Sequence, residues 1–151
     1  MLDKNNREIK TGDVVRISGA YFKSDNGLYY VEHSPGDPSW CGSDHSLRKL
    51  NKNGTLSKAK YNICFWPILA TTSSWEKRIL AREHNKQYAE IEIIDSFDKT
   101  EIIKHFEEEA NKMEAERNRL LRIYGEDIEC YKTTVRCKEF YLNVASRLVE
   151  E

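Results

Sequence analysis

The segment 97–151 constrains the fold most, because its residue pattern predicts two long helices folded back on each other at Gly125. Asp98 followed by Glu101 makes a capping box, so we expect the first helix to begin there. Gly125 readily adopts the positive φ that commonly ends a helix, and Asp127 can cap the second helix. Apolar residues recur along the first helix, mostly at intervals of three or four, at Ile103, Phe106, Ala110, Met113, Leu120 and Tyr124. This spacing indicates one apolar stripe.

The second helix has a wider apolar face than one antiparallel neighbour covers. One track comprises Ile128, Tyr131, Val135, Leu142, Ala145 and Val149, and a neighbouring track comprises Cys130, Cys137, Tyr141, Val144 and Leu148. The extra width needs another surface, either the rest of this chain or a second copy. Arg117 interrupts the stripe of the first helix and favours an interface with a polar partner. The two hypotheses are a hairpin packed on its own β domain and a dimer whose two hairpins form a four-helix bundle.

The sequence pattern of residues 1–96 predicts a small antiparallel sheet with one helix. The predicted strands are Val14–Ser18, Leu28–His33, Ser46–Leu50, Tyr61–Trp66 and Tyr88–Ile94. Asn26-Gly27 and Asn53-Gly54 are typical of the tight turns that join such strands. Ser73 followed by Glu76 predicts a middle helix over about residues 73–87. The predicted fold class is therefore α+β, with an SH3-like or twisted sheet in residues 1–96 and a helical hairpin in residues 97–151.

The opening of the chain carries a resemblance to a known family. Gly12-Asp13-Val14-Val15-Arg16-Ile17, followed by Asn26–Val31, resembles the first hairpin of KOW and SH3-like small-barrel domains. That resemblance implies a barrel-like fold and, for KOW modules, binding to RNA or ribosomes. The chain departs from the pattern at Ala20–Ser24, where many KOW modules have a basic, glycine-rich loop. The same opening resembles short phage and prophage proteins, which implies an inhibitor of a bacterial defence system or a sponge for its nucleotide signal.

Composition narrows the function classes. The formal net charge is −1, which disfavours a dedicated nucleic-acid-binding protein. No apolar run is long enough to span a bilayer and the first ten residues are polar, so we expect a cytoplasmic protein without a signal peptide. Its cysteines are then expected to be reduced, and Cys130 and Cys137 to pack as small hydrophobic side chains. The sequence has no P-loop, dinucleotide-binding glycine pattern, HExxH or GxSxG motif.

The loop 33–45 is the best candidate for binding, because a loop of this length in a compact domain often carries function. Trp40 either covers the core or stacks on a ligand ring. His33, Cys41 and His45 have the side-chain types that bind zinc, although no Cys-x2-Cys pair accompanies them. Ordinary turn chemistry is the alternative interpretation of this loop.

The sequence as a whole predicts a non-enzymatic binding protein without a metal or cofactor. We expect it to form a homodimer through the hairpin and to hold a protein partner or a small anionic ligand, such as a nucleotide, on its β loops. The predicted ligand-binding residues are Arg16, Tyr21, Tyr29, Tyr30, His33, Asp37, Trp40, His45 and Arg48. One alternative is a nucleic-acid-binding small barrel, whose affinity would fall steeply with salt. The other is a zinc-dependent enzyme or zinc-stabilised loop, which would carry metal when purified.

Overall fold

The computed structural model describes residues 2–20, 23–40, 42, 44–57, 62–65 and 89–151, with residues 62–65 described by their backbone alone. The chain divides into two compact units, residues 1–35 with 42–98 and residues 36–41 with 99–151. The division after residue 98 falls two residues beyond the predicted boundary. The grouping of residues 36–41 with the helices was not predicted. The middle helix predicted for residues 73–87 lies outside the described residues.

The first unit contains a five-stranded antiparallel sheet. Its strands are β1 (Val14–Ser18), β2 (Gly27–His33), β3 (His45–Lys49), β4 (Asn62–Phe65) and β5 (Glu90–Ile93). The strand order is β4-β3-β2-β1-β5, so four strands form a meander and the fifth returns beside the first. Each predicted strand is present, with ends shifted by at most two residues. The predicted α+β fold class is therefore confirmed.

The alternation of side chains along the strands places one face of the sheet in a hydrophobic core. Val15 pairs with Tyr29 and with Ile93, and Val31 pairs with Leu47, which brings alternate apolar residues onto the same face. The core cluster comprises Ile9, Val15, Ile17, Tyr29, Val31, Leu47, Ala89, Ile91 and Ile93. Because this period of two runs through β1, β2 and β5, the residues between them point to the opposite face.

Asp3 connects the start of the chain to the sheet. Its carboxylate accepts hydrogen bonds from the backbone N–H groups of Asn5 and Arg7, each at 2.9 Å, and of Ile93 at 3.0 Å. The side chain is buried. Burial by itself raises the pKa of Asp3, but the three N–H donors and the nearby guanidinium of Arg7 outweigh it and hold the pKa below its usual value. The ionised form of Asp3 is therefore part of the native structure.

The second unit contains the helical hairpin, with α1 (Thr100–Tyr124) and α2 (Glu129–Glu150). Gly125 has a φ of 82° and ends α1, as predicted. The predicted caps are wrong: Lys99 and Ile128 occupy the N-cap positions, and neither helix has a side-chain cap hydrogen bond. The carbonyl of Lys99 accepts the N–H of Ile103 at 2.9 Å, so the first turn closes later than a cap at Asp98 would place it.

One side of each helix is buried. The buried residues are Ile102, Phe106, Ala110 and Leu120 on α1, and Thr134, Cys137, Tyr141, Val144, Ala145 and Leu148 on α2. The rings of Phe106 and Tyr141 have their centroids 6.1 Å apart across the helices. At the open end, the ammonium of Lys99 lies 2.9 Å from a carboxylate oxygen of Glu151. In the described ranges, neither helix combines the length and the apolar character that crossing a membrane requires.

We expect Asp3→Asn to lower the free energy of unfolding by about 1–3 kcal/mol at neutral pH, because an amide nitrogen would face a backbone N–H. Since the folded pKa of Asp3 is depressed, its contribution is complete above the ordinary value of 3.8 and is lost as the pH falls through the folded pKa. The difference between wild type and Asp3→Asn in urea denaturation should therefore shrink below about pH 4.

Asp127→Asn is the matched control, since Asp127 is exposed and caps neither helix. Its stability should follow that of the wild type across the pH range. A difference for Asp3→Asn that stayed constant down to pH values near 2 would contradict the role given to the ionised carboxylate.

Candidate functional site

A polar cluster lies on the face of the sheet opposite the hydrophobic core. Tyr30 pairs with Arg48 in the register of β2 and β3, and Nη1 of Arg48 donates a hydrogen bond to the Tyr30 hydroxyl at 3.3 Å. A carboxylate oxygen of Glu32 lies 3.9 Å from the same nitrogen. The side chains of Arg48 and Glu32 are 17% and 15% exposed, so most of this ion pair is shielded from water. The period of two explains the placement, since Tyr29, Val31 and Leu47 fill the core face.

The guanidinium of Arg48 has an N–H group, at Nε, that donates no hydrogen bond. Its Nε is buried and has no hydrogen-bond partner. Most buried polar atoms in proteins are satisfied, so a buried donor without an acceptor calls for an explanation. Arginine presents its five N–H groups in a planar fork that suits the oxygens of a carboxylate or phosphate. The cluster therefore combines a guanidinium that has a buried donor without an acceptor with the Glu32 carboxylate, which limits its net positive charge.

The structure places the other predicted strand residues apart from this cluster. Tyr29 is part of the hydrophobic core, and its hydroxyl donates to the carbonyl of Asp25 at 2.8 Å. His45 is buried at the start of β3. These two side chains, like that of Tyr30, which is fully buried, offer almost no surface to a ligand. Arg16 is exposed on the same face as Arg48 and lies opposite Glu92 in the register of β1 and β5.

The residues of the predicted binding loop belong to both compact units. His33 is half-buried at the end of β2 in the first unit, whereas Asp37 and Trp40 belong to the second unit. The N–H of Trp40 donates to the carbonyl of Asp37 at 3.0 Å, which is local turn structure. Cys41 and Tyr21 lie outside the described residues. Among the residues that are described, no three or more His, Cys, Asp or Glu side chains are grouped so that they could hold a metal ion.

A cleft of about 600 Å³ lies at the end of β1 and the start of β5. It is lined by Leu2, Asp3, Lys4, Ser18, Gly19, Ala89, Glu90 and Ile91. The Asp3 carboxylate is engaged by backbone donors, and the Lys4 ammonium lies 3.1 Å from Glu92. The charged groups of Asp3 and Lys4 in this cleft are therefore already engaged by contacts within the protein. Sequence reasoning missed this cleft because the N-terminal segment, which lines it, lies 80 residues or more from β5 in the chain.

A second candidate surface lies along one side of the hairpin, and we call it the flank. It comprises Ile103 and Leu121 of α1 with Tyr131, Val135, Leu142 and Val149 of α2. Val149 is 66% exposed, Leu142 42% and Leu121 37%. The α2 members recur at intervals of four and seven residues, so they follow one line along the helix. Of the first apolar track predicted for this helix, Leu142 and Val149 are exposed, Ile128, Tyr131 and Val135 are half-buried, and Ala145 is buried.

Two polar contacts cross from α1 to α2 beside the flank. Glu114 accepts a hydrogen bond from Lys138, which lowers the pKa of Glu114, and Nε of Arg117 donates to the Tyr131 hydroxyl at 3.3 Å. Arg117 also pairs with Glu114 at 2.9 Å. The polar partner expected for Arg117 is therefore within its own hairpin, and this residue no longer argues for a second chain.

The closed end of the hairpin exposes further apolar side chains. Ile123 is 57% exposed and Tyr124 62%. Cys130 is exposed, contrary to the prediction that it packs, because it lies in the first turn of α2. Cys137 is buried as predicted, and burial raises the pKa of its thiol. Cys130 is thus an accessible thiol near this end of the hairpin.

We expect Arg48→Met to lower the free energy of unfolding by about 1–3 kcal/mol, because it leaves the Glu32 carboxylate shielded from water without its nearby cation. Adding Glu32→Gln should recover part of that loss, since an amide needs no counter-charge. Urea denaturation of the two single variants and the double variant gives the coupling energy. Arg16→Met, an exposed arginine on the same face, should change stability little. Strictly additive effects of Arg48→Met and Glu32→Gln would contradict the ion pair.

Comparisons with known proteins found no match: no family model, no curated protein and no solved structure is significantly similar to this chain.

Proposed function

We propose that this protein is a non-enzymatic binding protein that self-associates through its C-terminal hairpin and holds a small anionic ligand on its sheet. The observation that carries the proposal is the flank, where α2 keeps a line of apolar side chains exposed after its other side has packed on α1. Monomeric soluble proteins rarely expose a large continuous apolar patch, and such patches commonly mark interaction sites.

The size of the flank supports a protein partner. Helix α1 has 25 residues, so the hairpin is roughly 37 Å long, and two helices side by side are roughly 20 Å wide. The side of the hairpin that carries the flank therefore measures roughly 700 Å² in outline, close to the roughly 800 Å² that each partner contributes to a standard protein interface. The apolar side chains of the flank run along α2 from Tyr131 to Val149, and on α1 they lie toward its two ends, at Ile103 and Leu121.

Residues of the sheet support the proposed binding of a small anionic ligand. Arg48 offers a guanidinium with an unused buried donor, and the Tyr30 hydroxyl lies beside it. A phosphate or carboxylate oxygen is the ligand chemistry that this pair fits best. The return of β5 beside β1 agrees with the small-barrel resemblance of the opening hairpin. The resemblance to phage proteins extends the proposal to an inhibitor or nucleotide sponge directed at a bacterial defence system.

Self-association can be measured by native mass spectrometry of the intact protein. We expect a homodimer for the wild type and a largely monomeric protein for Leu142→Gln/Val149→Gln, because these changes remove the most exposed apolar groups of the flank. Ile123→Gln is the matched control. It is equally an exposed apolar residue, but it lies two positions from Leu121 and therefore on the other side of α1. It should leave the dimer intact.

A wild type that stays monomeric at tens of micromolar would contradict the proposed assembly. Dissociation by Ile123→Gln instead of the flank variant would place the interface on the other side of α1. The same spectra report the ligand: a small molecule that co-purifies with the wild type should be absent from Arg48→Met and retained by Arg16→Met. Equal retention by both variants would contradict a ligand site at Arg48.

A further inference from the structure

We propose that two copies of this chain pack flank to flank about a twofold axis that runs parallel to the helices, so that Glu114 of each copy lies opposite the partner's Lys138. This inference rests on the proposed self-association and specifies its partner, its surface and its orientation. It makes the assembly a four-helix bundle in which both hairpins have their closed ends on the same side.

The contacts between α1 and α2 determine which of their residues lie at the same level along the hairpin axis. Phe106 contacts Tyr141, Glu114 bonds to Lys138 and Arg117 bonds to Tyr131. In each pair the residue number rises along α1 as it falls along α2, as two antiparallel helices require. Extending this register places Leu121 within about one turn of Tyr131 near the closed end. It places Ile103 within about one turn of Val149 at the open end.

The same contacts fix which sides of the two helices form the flank. The bonds from Glu114 to Lys138 and from Arg117 to Tyr131 join the helices along the edge where the flank lies. Leu121 follows Glu114 by seven residues on α1, and Leu142 follows Lys138 by four on α2. Residues at these spacings share a side of a helix. The Glu114–Lys138 pair therefore lies near the middle of the flank, with apolar residues toward both ends.

Two different twofold axes can bring identical flanks face to face. They differ in which of the Glu114 and Lys138 charges they place opposite each other. An axis parallel to the helices puts α1 of each copy over α2 of the other at the same height. Each Glu114 then lies opposite the partner's Lys138, and the four charges alternate in sign. The apolar ends also match, because Leu121 lies within about one turn of the partner's Tyr131 and Ile103 within about one turn of the partner's Val149.

An axis across the helices, through the middle of the flank, puts α1 over α1 and α2 over α2. The two Glu114 carboxylates then approach to roughly 6 Å along the helices, and so do the two Lys138 ammonium groups. Like charges placed together in an interface are disfavoured, whereas complementary charges fix its register. The charge pattern of the flank therefore selects the parallel axis.

The ion pairs supply orientation and not the bulk of the affinity. The side chains of Glu114 and Lys138 are 35% and 30% exposed in one chain, and pairs at such exposure contribute little by themselves. Burial of Leu142, Val149 and Leu121 supplies the driving force at about 25 cal/mol for each Å² of apolar surface removed from water. The apolar contacts that drive association and the ion pairs that orient the two copies can therefore be tested separately.

The exposed thiol of Cys130 reports the orientation in the unaltered protein. With the parallel axis, the two Cys130 residues lie at the same height, separated across the bundle by about 13 Å. With the axis across the helices, they lie about 15–30 Å apart along the helices in addition to their separation across the bundle. We expect a short bismaleimide to link the two chains covalently, with the link lost in Cys130→Ala. A dimer in native mass spectra without a Cys130 cross-link overturns the orientation and leaves self-association standing, whereas a monomer overturns both.

A mixing experiment tests whether the charges meet across the interface. Glu114→Lys and Lys138→Glu homodimers each bring like charges together, whereas a mixed dimer restores both interchain pairs. We expect an equimolar mixture, with one variant labelled with ¹⁵N, to give a heterodimer fraction well above the statistical half. A fraction near one half overturns the proposed contact. Because both variants lose the same intrachain pair, a folding defect alone does not favour the heterodimer.

Discussion

The seam between α1 and α2 is the contact on which the rest of the hairpin depends. Phe106 and Tyr141 meet across it, and the polar contacts of Glu114 and Arg117 with α2 hold the same register toward the closed end. Since a helix presents residues three and four apart on one side, this register also decides what stays outside. Leu142 and Val149 are left in the flank because Tyr141, Val144 and Leu148 occupy the buried side of α2.

The sheet obeys a simpler constraint, the alternation of side chains along each strand. Tyr29 and Tyr30 are neighbours in sequence with the same side chain, yet one lies in the hydrophobic core and the other beside Arg48. Their difference follows from the register of β2 against β1 and β3. A shift of β3 by one residue would likewise exchange its two faces and put Arg48 in the core, where burying an unpaired guanidinium is costly.

The strands and the hairpin were predictable because their signals are local and repeated. Tight turns, alternation and helical spacing each recur several times, and the five strands and two helices follow them. The predicted helix caps were wrong because a capping box depends on a single pair of residues. The first turn of α1 begins at Lys99, whose carbonyl accepts the N–H of Ile103. The site was harder, because it depends on distant contacts. The bonds from Asp3 to Ile93, and the separation of Trp40 from His33 into different units, have no local signature.

Hydrogen bonds and burial keep several of the described side chains in one protonation state near neutral pH. Hydrogen bonds hold the pKa of Asp3 and Glu114 below their usual values, Tyr131 raises the pKa of Arg117, and burial raises that of the Cys137 thiol. Each shift moves the group further from neutral pH. The Glu114 carboxylate therefore keeps its negative charge over the physiological range, and the proposed dimer, in which it lies opposite the partner's Lys138, requires that constancy.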